Sequence, residues 1–242
     1  MKAELIDHMG TDLTVVNAAR VSFDKESEWV WIDTIRDPNR VGYDTLSEKD
    51  QKLVKYLAAH NHWTPFSHVQ ITMRETVPIF VARQRYKHMV GFTYNEVSRR
   101  YVDDEPEFFT PDVWRRAAEN KKQGSSDEAI EAIHLWDPIV GASPFTVPLN
   151  ELIANHHRDC ELLYLSMVND GVAPEQARMV LPQSMYTSYY VTGSLAAWAR
   201  AYKLRIDPHA QKEIQDLAIQ WNEIVGGIDE LKHSWTALTK EA

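Results

Sequence analysis

Residues 68–80, read as HVQITMRETVPIF, put Val69, Ile71 and Met73 on one side of an extended chain and polar residues on the other. Side chains alternate faces along a strand, so this period of two predicts a half-buried strand. Pro78 then fits the first turn of a helix, where its missing N–H costs nothing. The stretch from Pro78 to Val90 reads as that helix, with Gly91 ending it. A strand that runs directly into a helix calls for a sheet with helices packed on it.

The rest of the chain extends this pattern. Ser47 caps a helix over LSEKDQKLVKYLAAHNHW, with Glu48 and Asp50 in its first turn and Leu53, Val54 and Leu57 on one face. Earlier, LTVVNAARVSF (13–23) reads as a short apolar segment followed by a polar loop. Residues 101–143 are polar and broken by prolines, and NKKQGSSDEA (120–129) is expected as an exposed loop or linker. A long helix is expected over 148–169, closed by Asp170-Gly171. PEQARMVLP gives a short helix between prolines, and SMYTSYYVT a strand rich in aromatic and β-branched residues. SLAAWARAYKLRI and PHAQKEIQDLAIQWNEIV give two more helices. No repeat, low-complexity tract or domain boundary interrupts the sequence. One α+β domain over 1–242 is therefore expected, a mixed sheet packed with several helices and more helix than strand.

The 242 residues carry a net charge of −9 and one cysteine. That excludes a disulfide framework and a multi-cysteine zinc site within one chain. No signal-peptide layout and no bilayer-length apolar run is present, so a cytoplasmic protein without a membrane partner is expected. The acidic balance opposes a stable nucleic-acid partner, although it leaves room for one small anion in a locally basic pocket.

Such a pocket is suggested by residues 77–102. Gln84, Lys87 and His88 have the spacing of one helix face, with Arg85 on a neighbouring flank. TYNEVSRRY then brings Asn95, Glu96 and Ser98 close to Arg99 and Arg100. Guanidinium groups bind phosphate through paired hydrogen bonds, and a serine hydroxyl can complete the cradle; a plain solvated face is the other reading. His60, His62 and His68 fit a loop that presents His62 and Thr64 to a ligand better than a metal site, for no acid or cysteine completes a ligand set. Trp63 and Phe66 read as core. Arg178 and Arg205 stand on largely apolar elements, where each pairs with an internal acid or meets a ligand. Cys160, mid-helix and a turn after His156, reads as packing.

The ordered set TPFSH, VPIFVARQ, NEVSRRY, ARMVLP and LRIDPHAQKEI resembles the flavin-dependent thymidylate synthases, the ThyX class, in a form similar to that of some phages. The resemblance implies conversion of dUMP to dTMP, with methylenetetrahydrofolate as carbon donor, NADPH as reductant and FAD as hydride carrier. It also implies a homotetramer with active sites shared between subunits. It assigns the catalytic role to Arg205, beside the uracil ring. It groups Gln84, Arg85, Tyr86, Lys87, Glu96, Val97, Ser98, Arg99, Arg100, Arg178 and Arg205 around dUMP. Around FAD it groups His62, Thr64, Lys87, His88, Met89, Asn95, Glu96, Ser194 and Arg200, with no metal. The family's Arg-His-Arg triplet is replaced here by Lys87-His88-Met89, with a spacer to Ser98 one residue longer. Its Asn-x-Arg is replaced by Ser194-Leu195-Ala196, and Arg200 stands where Asn is common. Two alternatives follow from these departures: another pyrimidine deoxynucleotide such as dCMP as substrate, or a non-catalytic nucleotide- or RNA-binding relative.

Overall fold

The computed structural model describes residues 1–32, 43–101, 104–119 and 124–240. In chain order the elements are β1 (Lys2–Met9), α1 (Asp12–Arg20), β2 (Val30–Ile32), β3 (Tyr43–Thr45), α2 (Glu48–Ala59) and β4 (Gln70–Pro78). Then come α3 (Ile79–Arg85), β5 (Phe92–Glu96), β6 (Arg115–Ala117), β7 (Ser125–Ala129), β8 (Ala132–Asp137) and β9 (Gly141–Pro148). The chain ends with α4 (Leu149–Asn169), α5 (Pro174–Ala177), β10 (Tyr186–Ser194), α6 (Leu195–Arg205), α7 (Lys212–Gly226) and α8 (Lys232–Thr239). The architecture is α+β, with more residues in helices than in strands. No helix among the described residues is long and apolar enough to cross a membrane.

The main sheet has the order β1-β4-β10-β5, and each of its pairings is antiparallel. Alternation sets its faces. Ile71, Met73, Glu75 and Val77 of β4 and Thr187, Tyr189 and Val191 of β10 are buried on one side. That side shares a core with Leu195 and Trp198 of α6 and with Ile214, Leu217 and Trp221 of α7. Two strands pass straight into helices. Pro78 stands at the N-terminus of α3, and Ser194 caps α6 by accepting a hydrogen bond from the Ala197 N–H at 3.2 Å. Ser47 caps α2 in the same way through Asp50.

Four expectations need correction. Residues 12–20 form a helix, capped at Thr11, rather than an apolar segment and loop, because burial of Val15 and Val16 rewards a helical face. Ser125–Ala129, expected as loop, is a strand paired with β6, since strand pairing outweighs the weak strand preference of Ser-Ser-Asp-Glu; residues 120–123 of that expected loop lie outside the described residues. Trp63, expected as core, is exposed, whereas Phe66 is fully buried. The helix expected to reach Val90 stops at Arg85. Tyr94 Oη donates to the carbonyls of Arg85 (3.2 Å) and His88 (2.7 Å), taking groups that a continuing helix would use. Gly91, at φ +80°, closes the turn and not the helix; a Cβ there would lie 2.9 Å from Ala197 Cβ.

That turn is pinned by a buried ion pair. Glu75 and Arg85 are both fully buried, with Arg85 Nε 3.2 Å from Glu75 Oε2. Tyr189 Oη donates to the same carboxylate at 2.6 Å, and Arg85 Nη1 donates to Tyr94 Oη at 2.5 Å. The guanidinium carbon lies 4.4, 4.8 and 4.7 Å from the ring centres of Phe92, Trp198 and Trp221. These π faces accommodate a cation whose Nη2 has no hydrogen-bond partner. Removing one member of a buried pair leaves a bare charge in a poorly polar interior. Arg85→Leu is therefore expected to cost about 3–5 kcal/mol of stability, read from urea unfolding.

Candidate functional site

Arg205 is the last residue of α6, where the helix's C-terminal end favours a cation. Its Nε donates to His88 Nε2 at 2.8 Å and its Nη2 to the Gln84 carbonyl at 3.3 Å. Both contacts use one edge of the guanidinium. No carboxylate pairs with Arg205 among the described residues. The internal ion-pair reading of this arginine is thereby corrected. Next to it, the Gln84 side chain donates to Gln211 Oε1 at 2.5 Å, and Gln211 donates to Glu213, itself paired with Arg115.

His88 is buried between these groups. Burial first, then the charges of Arg205, Arg85 and Arg200, lower its pKa from 6.5 to about 4. Its neighbours in the departed triplet behave differently: Lys87 and Met89 are exposed on the surface of the turn. Arg85, expected to reach the nucleotide, is instead enclosed by its pairing with Glu75, so it acts within the core. The Tyr86 phenol oxygen is buried without a hydrogen-bond partner among the described residues, and its ring lies edge-on to Tyr94 and Tyr189. Burial, and next the charge of Glu96, raise its pKa.

A second group surrounds a cavity of about 600 Å³ lined by Arg74, Thr76, Glu96, Val97, Arg99, Arg178 and Ser188, among others. Arg178 is exposed and, among the described residues, bonds only the Glu175 carbonyl, at 3.2 Å, so the ion-pair reading fails there too. Arg99 donates to the carbonyls of Asp104 and Glu105, and Glu96 accepts from Thr187 Oγ1 at 2.6 Å. Ser98 Oγ accepts from Arg100 Nε at 3.3 Å, next in sequence to the lining residues Val97 and Arg99. Neither Arg205, Gln84 nor His88 lines this cavity. Within one chain the expected nucleotide residues thus form two clusters.

A second cavity, about 490 Å³, is lined by Trp63, Gln70, Gly91, Phe92, Ser194 and Arg200, among others. Arg200 donates to the Val90 carbonyl, across the turn from α6. The Ser194 hydroxyl is occupied in part as the α6 cap. His62 and Thr64, exposed after α2, and Asn95, exposed on β5, do not line this cavity. Cys160 lines none of these cavities and lies 3.7 Å from His156 Nε2 along α4.

Residues 4–229 match the family model described as thymidylate synthase complementing protein, Thy1. A flavin-dependent thymidylate synthase from Thermosipho melanesiensis is 36% identical over 232 residues, 96% of this chain and 86% of the relative. The chain belongs to the flavin-dependent thymidylate synthases. Another family member, from Thermus thermophilus, is 33% identical over 91% of this chain and 70% of its own. Among solved structures, the UMP/dUMP methylase PolB from Streptomyces cacaoi bound with 5-Br dUMP superposes with a TM-score of 0.69. It is 25% identical, covering 98% of this chain and 94% of that one.

Several residues that shape the candidate site escaped the sequence reading. Glu75 is in phase with Ile71, Met73 and Val77, so the alternation itself places a carboxylate on the buried face and demands a cation there. Arg74, one residue earlier, points the other way and bonds Ser188 Oγ at 3.0 Å beside Arg178's cavity. No comparable signal marks Gln211 or Tyr94.

The depressed pKa of His88 has a stability consequence. Below pH 6.5 the unfolded chain takes a proton at His88, while the folded chain refuses it until about pH 4. Stability therefore falls as pH drops through that window. Between pH 7 and 5 the wild type is expected to lose on the order of 2 kcal/mol more than His88→Gln, measured by urea unfolding at each pH.

Proposed function

We propose that this chain, as one domain over residues 1–242, makes dTMP from dUMP by reductive methylation. Methylenetetrahydrofolate donates the carbon, NADPH the reducing equivalents, and FAD carries the hydride. The observation that carries the catalytic part is Arg205, a half-buried guanidinium held by a neutral imidazole and a backbone carbonyl, with no carboxylate among the described residues to offset its charge. A fixed cation beside the uracil carbonyl and N3 favours negative charge developing on the ring. C5 and C6 then become reactive without a thiol adduct, in keeping with the place of Cys160 on α4.

Phosphate recognition falls to the other cluster. Arg178, Arg99, Arg100 and the Ser98 hydroxyl supply the directed donors that a phosphate dianion needs, with the Val97 backbone and Glu96 beside them. Gln84, Tyr86 and Lys87 belong to the Arg205 side. The nucleotide lies between the Arg205 cluster of one copy and the Arg178 cluster of another, in a homotetramer with shared sites. The cavity beside Arg200 offers an exposed indole, hydroxyl and amide groups and the Arg200 cation, a donor set that fits a planar, anionic dinucleotide. Trp63, Ser194 and Arg200 would hold FAD there, with His62, Thr64, Met89 and Asn95 around it. FAD supplies hydride transfer when bound. Arg200 provides a cation beside the turn where Met89 provides none.

The likeness to PolB supports a second reading, in which UMP is accepted as well as dUMP. Purified protein with FAD, NADPH and methylenetetrahydrofolate is expected to form dTMP from dUMP. Turnover of UMP or dCMP but not dUMP would overturn the dTMP assignment. Arg205→Ala is expected to lower kcat by about 10²–10³-fold with its fold intact. Arg178→Ala is expected to weaken dUMP binding by roughly 10- to 100-fold, read by calorimetry.

A further inference from the structure

We propose that His88 is a positioning residue, an uncharged acceptor that fixes the plane and direction of the Arg205 guanidinium without cancelling its charge. This rests on the reading of Arg205 as the cation that meets the pyrimidine, and it gives His88 a role beside the flavin grouping that the resemblance implies.

The geometry carries the inference. Arg205 Nε lies 2.8 Å from His88 Nε2. A guanidinium can only donate, so Nε2 must present its lone pair and Nδ1 must carry the ring proton. The imidazole faces Arg205 and Arg200 from α6 and Arg85 from α3, and it is buried among them. Burial first, and then these three cations, keep the ring neutral. His88 and the Gln84 carbonyl together occupy Arg205 Nε and Nη2. Nη1 makes no hydrogen bond with the described residues. The side chain is thus held by one edge, and its other edge is left for a ligand.

A carboxylate at residue 88 would hold Arg205 equally well. It would also neutralise the cation and remove the field that a developing ring anion needs. A neutral acceptor orients and leaves the charge intact. The imidazole is itself held from behind. Tyr94 Oη donates to the His88 carbonyl at 2.7 Å and accepts from Arg85 Nη1, and Arg85 is locked to Glu75. The core ion pair and the proposed catalytic cation are therefore joined through one backbone carbonyl and one ring nitrogen.

The test uses the flavin-loaded enzyme with His88→Leu, His88→Gln, His88→Glu and Arg205→Ala. For His88→Leu, kcat is expected to fall tenfold or more, with dUMP affinity and the flavin absorption band unchanged. His88→Gln keeps a neutral acceptor at similar reach and is expected to recover kcat to within threefold of wild type. His88→Glu keeps the bond but pairs the charge, and kcat is expected to fall as it does in Leu. Combining His88→Leu with Arg205→Ala is expected to be no slower than Arg205→Ala alone. Should the Leu variant fail to fold, His88→Asn, a neutral acceptor of shorter reach, replaces it with the same expected loss. Wild-type kcat in His88→Leu, equal losses in Leu and Gln, or a loss that tracks missing flavin would each overturn the proposal. Wild-type activity in Arg205→Ala is a separate outcome: it removes the catalytic reading of Arg205, and the positioning role with it.

Discussion

The Glu75–Arg85 ion pair is the contact on which the rest of the molecule leans. Two charges with no solvent exposure sit in the middle of an apolar core, where their desolvation alone is unfavourable by several kcal/mol. Their partners make them tolerable: the Tyr189 and Tyr94 hydroxyls and the rings of Phe92, Trp198 and Trp221. Those groups come from β10, β5, α6 and α7, while the pair itself spans β4 and α3. Gly193 belongs to the same arrangement, for a Cβ there would fall 2.3 Å from the Phe92 ring that covers Arg85. One interaction thus ties the sheet to three helices and sets where α3 must stop.

Function inherits that constraint. Because α3 ends at Arg85, residues 86–91 form a turn, and the turn brings His88 inward to Arg205 while Lys87 and Met89 stay outside. The departure from the family's Arg-His-Arg triplet falls on the two exposed positions and spares the buried one. Arg200 reaches the same turn from α6, at the carbonyl of Val90, the residue after Met89. The arginines of an otherwise acidic chain are divided among three duties: Arg85 in the core, Arg205 at the proposed reaction centre, and Arg99, Arg100 and Arg178 at the proposed phosphate site.

Much of this was legible in the sequence, for identifiable reasons. Alternation in 69–77 and the aromatic run before Ser194 marked the two central strands, and Ser47 marked the start of α2. These signals are local and strong. The separated motifs pointed to the family. Illegible features depended on partners distant in sequence. β1 is a strand because β4 lies beside it, and β7 because β6 does. The inward turn of Arg85 depends on Glu75 and on rings up to 136 residues away in the chain. Helical spacing alone grouped Gln84, Lys87 and His88 on one face, and the early end of α3 undid that grouping.

The separation of Arg205 from the cavity of Arg178 leads to the most direct test of the proposed site. Arg205→Ala and Arg178→Ala proteins would be mixed, partly dissociated in mild denaturant, reassembled, and assayed at dUMP far below the weakened Kd, where each alone is nearly inactive. If the nucleotide lies between the two clusters of neighbouring copies, some reassembled sites regain both arginines, and dTMP formation is expected to return to roughly a quarter of wild type. A mixture as inactive as its components, with subunit exchange verified, would contradict the shared site and place both arginines' work within a single chain.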